Sequence, residues 1–252
     1  MKMNLKALGV LAALAIAGCG TQDAEGPLSP GDFGRVRFVN LITDPARVPV
    51  NAILEGVPFG VNLAYTGTTP SSLPAPSTAN YSAILTGARS LVLQQTSNTS
   101  VTVATLPLTI ATATDYTVYA MGGTGGAAVT SLITTDVNTA GLATDTRFRV
   151  TNASSTAGAV DVFVTANGAD LTSLTPDAAN VAVGASSAYF NKPAGTYQIR
   201  FVPAGTAGAA RNGAVSITIP AAAYTGGTGR TIVAANNAAG AGAARGFVLS
   251  DR

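Results

Sequence analysis

The chain offers little for acid–base or nucleophilic chemistry. Its 252 residues include no histidine and one cysteine, Cys19. Ser-His-Asp and Cys-His arrangements and histidine-held metals are therefore excluded within it. A serine–lysine pair would have to use Lys192, because Lys2 and Lys6 stand at the extreme start. Lys192 falls in Asn191-Lys192-Pro193, which reads as a hairpin tip where lysine is ordinarily a solvated charge. Two carboxylates facing each other across a cleft could cleave glycosidic bonds, and Asp161, Asp170 and Asp177 form the closest grouping. The plainer reading is that these aspartates hydrogen-bond turns. No calcium loop of alternating acidic residues is present, and no metal or cofactor is expected. GGTGG (122–126) and GGTG (226–229) lack the helix and the following lysine that phosphate cradles need. They read as hairpin tips. With no tryptophan, the aromatic hint is Tyr189-Phe190, neighbours on one strand that face opposite ways, so that one ring is expected at a contact surface.

The thiol has a more specific setting. Lys2 and Lys6 precede an uncharged run, Ala7 to Gly18, which is too short to span a bilayer at about 20 residues. A basic start, an apolar stretch and small residues mark a secretory signal that is removed. Ile16-Ala17-Gly18-Cys19 resembles the lipobox of bacterial lipoprotein precursors. That resemblance implies removal of residues 1–18, a diacylglyceryl group on the Cys19 sulfur and acylation of its new amine. Each buried methylene contributes about 0.8 kcal/mol and one chain holds weakly, so several chains are needed for a stable anchor. An ordinary cleaved signal is the alternative, although a lone thiol on an exported protein is then unexplained. Gly20, rather than aspartate, follows the cysteine. By resemblance to enterobacterial sorting, this implies the outer membrane. The expected location is the cell envelope, with a membrane partner engaged through the lipid on Cys19.

Charge argues against nucleic acid. The balance of +2 comes from 14 basic and 12 acidic side chains, and removing Lys2 and Lys6 leaves none. The eleven arginines are spread along the chain without a basic run. Charged residues make up only 10%, well below the usual quarter or so. Recurring bursts of Val, Ile, Leu and aromatics nevertheless mark a folded chain. A single cysteine leaves no intrachain disulfide, so core burial must supply the stability.

Residues 19–34 carry no apolar period and read as a flexible tether with a reach of about 20 Å. Beyond them, short Val/Ile/Thr-rich segments recur at 35–39, 48–54, 89–95, 99–104, 115–121 and 128–133. A second series occupies 147–151, 159–165, 196–202, 214–219, 230–235 and 246–250. Val160, Val162 and Val164 alternate with Asp161, Phe163 and Thr165, and no long helical stripe appears. The halves also correspond. RVRFVN (35–40) answers RFRVTN (147–152), and Leu91 and Leu93 answer Ile199 and Phe201. Near the ends, Val118, Leu132, Ile133 and Asp136 answer Val233, Phe247, Val248 and Asp251 at one offset. This order predicts an all-β chain of two tandem immunoglobulin-like β-sandwiches, 35–136 and 147–252. Residues 137–146 are expected to be a linker or hinge that few contacts cross, giving a rod.

The opening RVRVVN-like strand, a VDVFV strand at Val160–Val164 and PAGTYQIRF at 193–201 together resemble the bacterial domain of unknown function 4397 (DUF4397). The first copy departs from it at Asn51, which stands where the second has Asp161. Family members often carry histidine where Asn40 and Asn152 stand, so no histidine-dependent role transfers. The resemblance implies two tandem copies of an immunoglobulin-like sandwich on an exported lipoprotein, with no known activity. The expected function is non-enzymatic: binding, adhesion or structural support, with a protein or glycan of the envelope as partner. The alternative is a carboxylate-dependent hydrolase or an accessory subunit of one, which an unusually acidic pocket would favour.

Overall fold

The computed structural model describes residues 33–69, 81–139, 141–238 and 244–251. The signal peptide, Cys19 and the tether through residue 32 lie outside the described residues. Phe33 and Gly34, read as the end of the tether, instead begin the first strand.

The described chain is all-β and forms two sandwiches. The first contains β1 (Phe33–Ile42), β2 (Val50–Leu54), β3 (Val57–Leu63), β4 (Ser82–Leu85), β5 (Gly87–Gln95), β6 (Asn98–Ile110), β7 (Asp115–Gly122) and β8 (Val129–Asp136). One sheet has the order β4-β1-β7-β8 and the other β3-β2-β5-β6. The second sandwich contains β9 (Asp145–Ala153), β10 (Val160–Thr165), β11 (Ala178–Val181), β12 (Ala185–Ser186), β13 (Phe190–Pro193), β14 (Gly195–Pro203), β15 (Ile217–Tyr224), β16 (Gly229–Ala235) and β17 (Arg245–Ser250). Its sheets run β12-β9-β16-β17, with β13 also on β9, and β11-β10-β14-β15. Strand for strand this repeats the first order, down to the parallel pairs β1–β7 and β9–β16.

Each sandwich closes over its own core. Val36, Phe38, Leu91, Leu93 and Val118 are buried in the first. Phe148, Val150, Ile199, Phe201 and Ile232 are buried in the second. Strand alternation places these side chains between the sheets, as the pairing of Val36 and Phe38 with Phe148 and Val150 requires. Asn40 and Asn152 stitch each sandwich across its layers. Asn40 donates through Nδ2 to the Leu63 carbonyl at 2.9 Å, and Asn152 donates to that of Val181 at 3.0 Å.

One correspondence is off by a residue. Thr117 lies opposite Arg37 and Thr231 opposite Arg149, so β7 maps on β16 with Val118 on Ile232. Val118 belongs to the first core, but Val233 faces outward and takes the place of Tyr119. A shift of one residue along a strand moves a side chain to the other face.

The outward faces are where the expected rod fails. Val39, Leu41 and Tyr119 of the first sandwich share one buried cluster with Ala153, Val233, Ala235 and Leu249 of the second. The β1 and β9 sheets thus pack on each other, and the chain is a stack of four sheets. Residues 137–146 are not a hinge. The Tyr189 hydroxyl accepts the Val137 N–H at 3.0 Å, and Gly227 donates to the Leu142 carbonyl at 3.0 Å. Gly226 meets the segment so closely that a Cβ there would lie 1.9 Å from the Ala143 oxygen.

The strands absent from the sequence reading lie at sheet edges: the seven-residue β3, and β4, β11, β12 and β13, of four residues or fewer. β3 is interrupted by Pro58 and Gly60. β6 runs on through Pro107 to 13 residues because it is a sheet edge, where proline withholds no ladder bond.

Candidate functional site

The densest polar arrangement lies where the two sandwiches meet. On β1 and β9, Arg37 and Arg149 point away from their own cores and are 2% and 3% exposed. The Arg37 guanidinium donates to Asp251 Oδ1 at 2.8 Å and to the Ser250 carbonyl at 2.7 Å. Arg149 donates to Asp136 and, at 2.9 Å, to the Thr135 carbonyl. Asp136 ends β8 and Asp251 directly follows β17, so each sandwich gives an arginine to the aspartate at the end of the other's last strand. This reciprocity is that of a two-fold interface within one chain. Local hydroxyls complete both carboxylates. Thr117 Oγ1 donates to Asp136 Oδ2 at 2.5 Å, and Thr231 Oγ1 to Asp251 Oδ2 at 2.8 Å.

Two tyrosines cap the pattern. The Arg37 guanidinium stands 4.7 Å from the Tyr81 ring centre, and that of Arg149 stands 5.0 Å from the Tyr189 ring. Tyr81 also donates to Asp136 Oδ2 at 2.9 Å, whereas Tyr189 accepts from the linker. Burial opposes the Arg37 charge, but Tyr81, Asp251, Tyr119 and Asp136 outweigh it and raise the guanidinium above its ordinary value. Burial also pushes the Tyr119 hydroxyl up to about 12, against the pull of Arg37. These arginines and tyrosines therefore hold their charge state at neutral pH, which suits a lock between sheets rather than proton transfer.

The groups singled out by sequence are dispersed and engaged. Asp161 Oδ1 accepts the Asn180 N–H at 2.8 Å, and Asn51 accepts that of Asn62 at 2.9 Å at the matching place. Asp177 accepts the Val164 N–H at 2.7 Å and pairs with Lys192 Nζ at 2.7 Å. Lys192 is not at a hairpin tip. It sits on edge strand β13, and the chain then crosses to the opposite sheet at β14. Phe190 stacks on Phe148 at 5.8 Å, and Tyr189 covers Arg147 and Arg149, so the expected ring contact surface is used internally. The glycines of 122–126 surround a short 3-10 turn whose carbonyls at Gly126 and Ala127 accept from Arg47, each at 2.7 Å. Among the described residues no three acidic or cysteine side chains gather where a metal could sit. Cys19 lies outside the described residues.

Asp170 is exposed, and its carboxyl is lowered to about 2 by the Thr172 hydroxyl, the Thr172 N–H and Asn212. A folded value below the ordinary 3.8 means stabilisation that is present above about pH 4 and lost as pH falls through 2. The stability gap between the native chain and Asp170→Asn should thus stay constant from pH 5 to 8. It should close in strong acid, as denaturant midpoints along a pH series will read. A gap that widens toward acid would reject this assignment.

A cavity of about 580 Å³ opens at one end of the first sandwich, lined by Phe33, Arg35, Thr114, Asp115, Asp136 and Asn138. Both carboxylates are already engaged. Asp115 accepts from Arg35 at 2.7 and 2.5 Å and from Asn138 at 2.7 Å, while Asp136 is held in the lock. The lock itself escaped the sequence reading. Its signal is the company of Arg37, which shares a strand face with Val39 and Leu41. Apolar neighbours on an outward face mean that something covers it.

No curated protein matches the chain. Among solved structures, a leucine-rich repeat protein from Bacteroides thetaiotaomicron VPI-5482 is 14% identical, with a TM-score of 0.19. The match covers 79% of this chain and 26% of that one, so this chain spans about a quarter of that protein's length. So low a score carries no argument. The family model described as domain of unknown function (DUF4397) matches residues 34–163 and extends through the first sandwich into β10. With more than half of its residues matched, the chain belongs to the DUF4397 family.

Proposed function

We propose that this chain is a non-enzymatic, lipid-anchored protein of the cell envelope whose two DUF4397-type sandwiches work as one rigid block. Its role is binding, adhesion or bracing, with a protein or glycan partner and no nucleic acid or cofactor. The observation that carries this reading is the reciprocal lock, Arg37 on Asp251 and Arg149 on Asp136. It invests the most deeply buried charges among the described residues in joining the sandwiches. The candidate catalytic groups, Asp161, Asp170, Asp177 and Lys192, likewise serve turns, backbone and one ion pair. The carboxylates at the cavity of the first sandwich, Asp115 and Asp136, are each paired with arginine, which favours this reading over a carboxylate-dependent hydrolase. Anchoring rests on Ile16-Ala17-Gly18-Cys19 and the basic start. Cys19→Ser is expected to abolish acyl labelling and either release the protein from membranes or block its processing. Acyl labelling that is unchanged in this variant would overturn the anchoring.

A further inference from the structure

An open sheet edge is a template for another strand, and natural chains close it with proline, with a cation or by keeping it short. Among the described residues every sheet edge shows one of these devices except β8. β3 carries Pro58, β6 Pro107 and β15 Pro220, while β17 carries Arg245. β13 has Lys192 and Pro193, and β4, β11 and β12 have four residues or fewer. The eight residues of β8, Val129 to Asp136, include no proline, lysine or arginine, yet β8 ends the sheet β4-β1-β7-β8.

The register fixes which groups β8 turns outward. The Arg35 and Thr43 N–H groups donate to the Thr114 and Gly122 carbonyls, so the even-numbered positions along β7 bond to β1. Asp115, Thr117, Tyr119 and Met121 then bond to β8, where they lie opposite Asp136, Thr134, Leu132 and Thr130. Val129, Ser131, Ile133 and Thr135 are left with N–H and C=O pointing away from the sheet. Two contacts agree with this: the Thr135 carbonyl accepts from Arg149 at 2.9 Å, and the Val137 N–H meets Tyr189 at 3.0 Å. At the other end the Ala127 carbonyl accepts from Arg47 at 2.7 Å. Leu132–Thr135 border a cleft of about 320 Å³ whose far wall includes Gly184, Ser186 and Ser187, and Ile133 is 38% exposed.

We propose that β8 pairs with β8 of a second copy of this chain, antiparallel about a two-fold axis at Ser131. In that register Ser131 meets Ser131 and Val129 meets Ile133, so the outward groups of these residues answer one another in up to about six hydrogen bonds. Thr135 falls opposite Ala127, so the carbonyls already engaged by Arg149 and Arg47 also face each other and the ladder stops there. Val129 and Ile133 share one face of the strand, so the exposed Ile133 is covered by the valine of the other copy. From Tyr116 to Thr135 no side chain is charged, and the copies meet without like-charge repulsion. Two four-stranded sheets are thereby joined edge to edge. The pairing stands apart from the anchoring, because it needs no lipid on Cys19.

Thiol cross-linking of the full chain in the cells that produce it tests the register. Every variant keeps Cys19, and the unsubstituted chain is the baseline. Two Ser131 Cα atoms are expected about 5.5 Å apart, within reach of a disulfide, whereas two Ile133 Cα atoms are about 14 Å apart. Ser131→Cys is therefore expected to give at least about fivefold more covalent dimer than the baseline, and Ile133→Cys alone no more than the baseline. Ile133→Cys produced together with Val129→Cys should cross-link as the mixed pair. Adding Ile133→Lys to Ser131→Cys places a cation on the edge and should return the dimer to the baseline. Ser131→Cys at the baseline would overturn the proposal, as would equal cross-linking of Ile133→Cys alone, the mark of random collision. Capture of a different protein by Ser131→Cys would assign the edge to another partner's strand and overturn it too.

Discussion

Asp136→Ala is expected to destabilise the chain by about 3–5 kcal/mol, the range for removing one member of a buried charge pair. The Asp136 side chain is wholly buried and accepts from Tyr81, Thr117, Thr134 and Arg149. Its loss leaves the Arg149 charge without its carboxylate in a place water does not reach, and strips Tyr81 of its acceptor. The measurement is the urea midpoint, with Arg47→Ala as reference. Arg47 pairs with Asp44 at 3.5 Å near the surface and donates to the Gly126 and Ala127 carbonyls, and the loss of these solvent-accessible contacts is expected to cost about 1–2 kcal/mol. If Asp136→Ala cost no more than the Arg47 change, the two sheets would be solvated and the lock would not exist.

The second large effect is expected at Val233, which a pair of separate sandwiches would leave on an outer face. It is fully buried in the cluster shared with Val39, Leu41 and Tyr119. Val233→Asp would place a carboxylate with no cationic partner of its own between two apolar sheets. Such a charge is expected to cost at least about 3 kcal/mol, against less than about 0.5 kcal/mol at a solvated surface position. The sheets will separate or the chain will unfold, and small-angle scattering will report a larger radius of gyration beside a lower urea midpoint. An unchanged radius together with an unchanged midpoint would remove the four-sheet stack.

The legible part of this molecule was the part written in alternation. Val36 with Phe38 and Leu91 with Leu93 each mark one face of a strand, and their partners in the second half stand at matching core positions. In β3 the alternation of Val57, Phe59, Val61 and Leu63 is broken by Pro58 and Gly60, which read as a turn, and the four residues of β11 are too few to show a period. The slip at Val118 came from matching valine to valine. Thr117 with Thr231 and Ala120 with Ala234 would have shown the true register, since both pairs hold at one offset. The lock was hidden for a different reason. Arg37 and Asp251 stand 214 positions apart, and nothing local tells a strand arginine that faces water from one that faces another sheet. Only the apolar company of Arg37 on its strand face distinguishes the two.

The parallel pairing of β1 with β7 sets how the first sandwich carries a load. Tension on the chain ahead of Phe33 enters β1 at its first residue. It leaves β7 at Gly122, at the far end of eight registered pairs from Arg35–Asp115 to Ile42–Gly122. The ladder between them is therefore loaded in shear, with all its hydrogen bonds strained together rather than opened one after another from an end. Were β1 and β7 antiparallel, the same pull would unzip them pair by pair. Were the chain tethered ahead of Phe33, as proposed, traction would meet this ladder in shear.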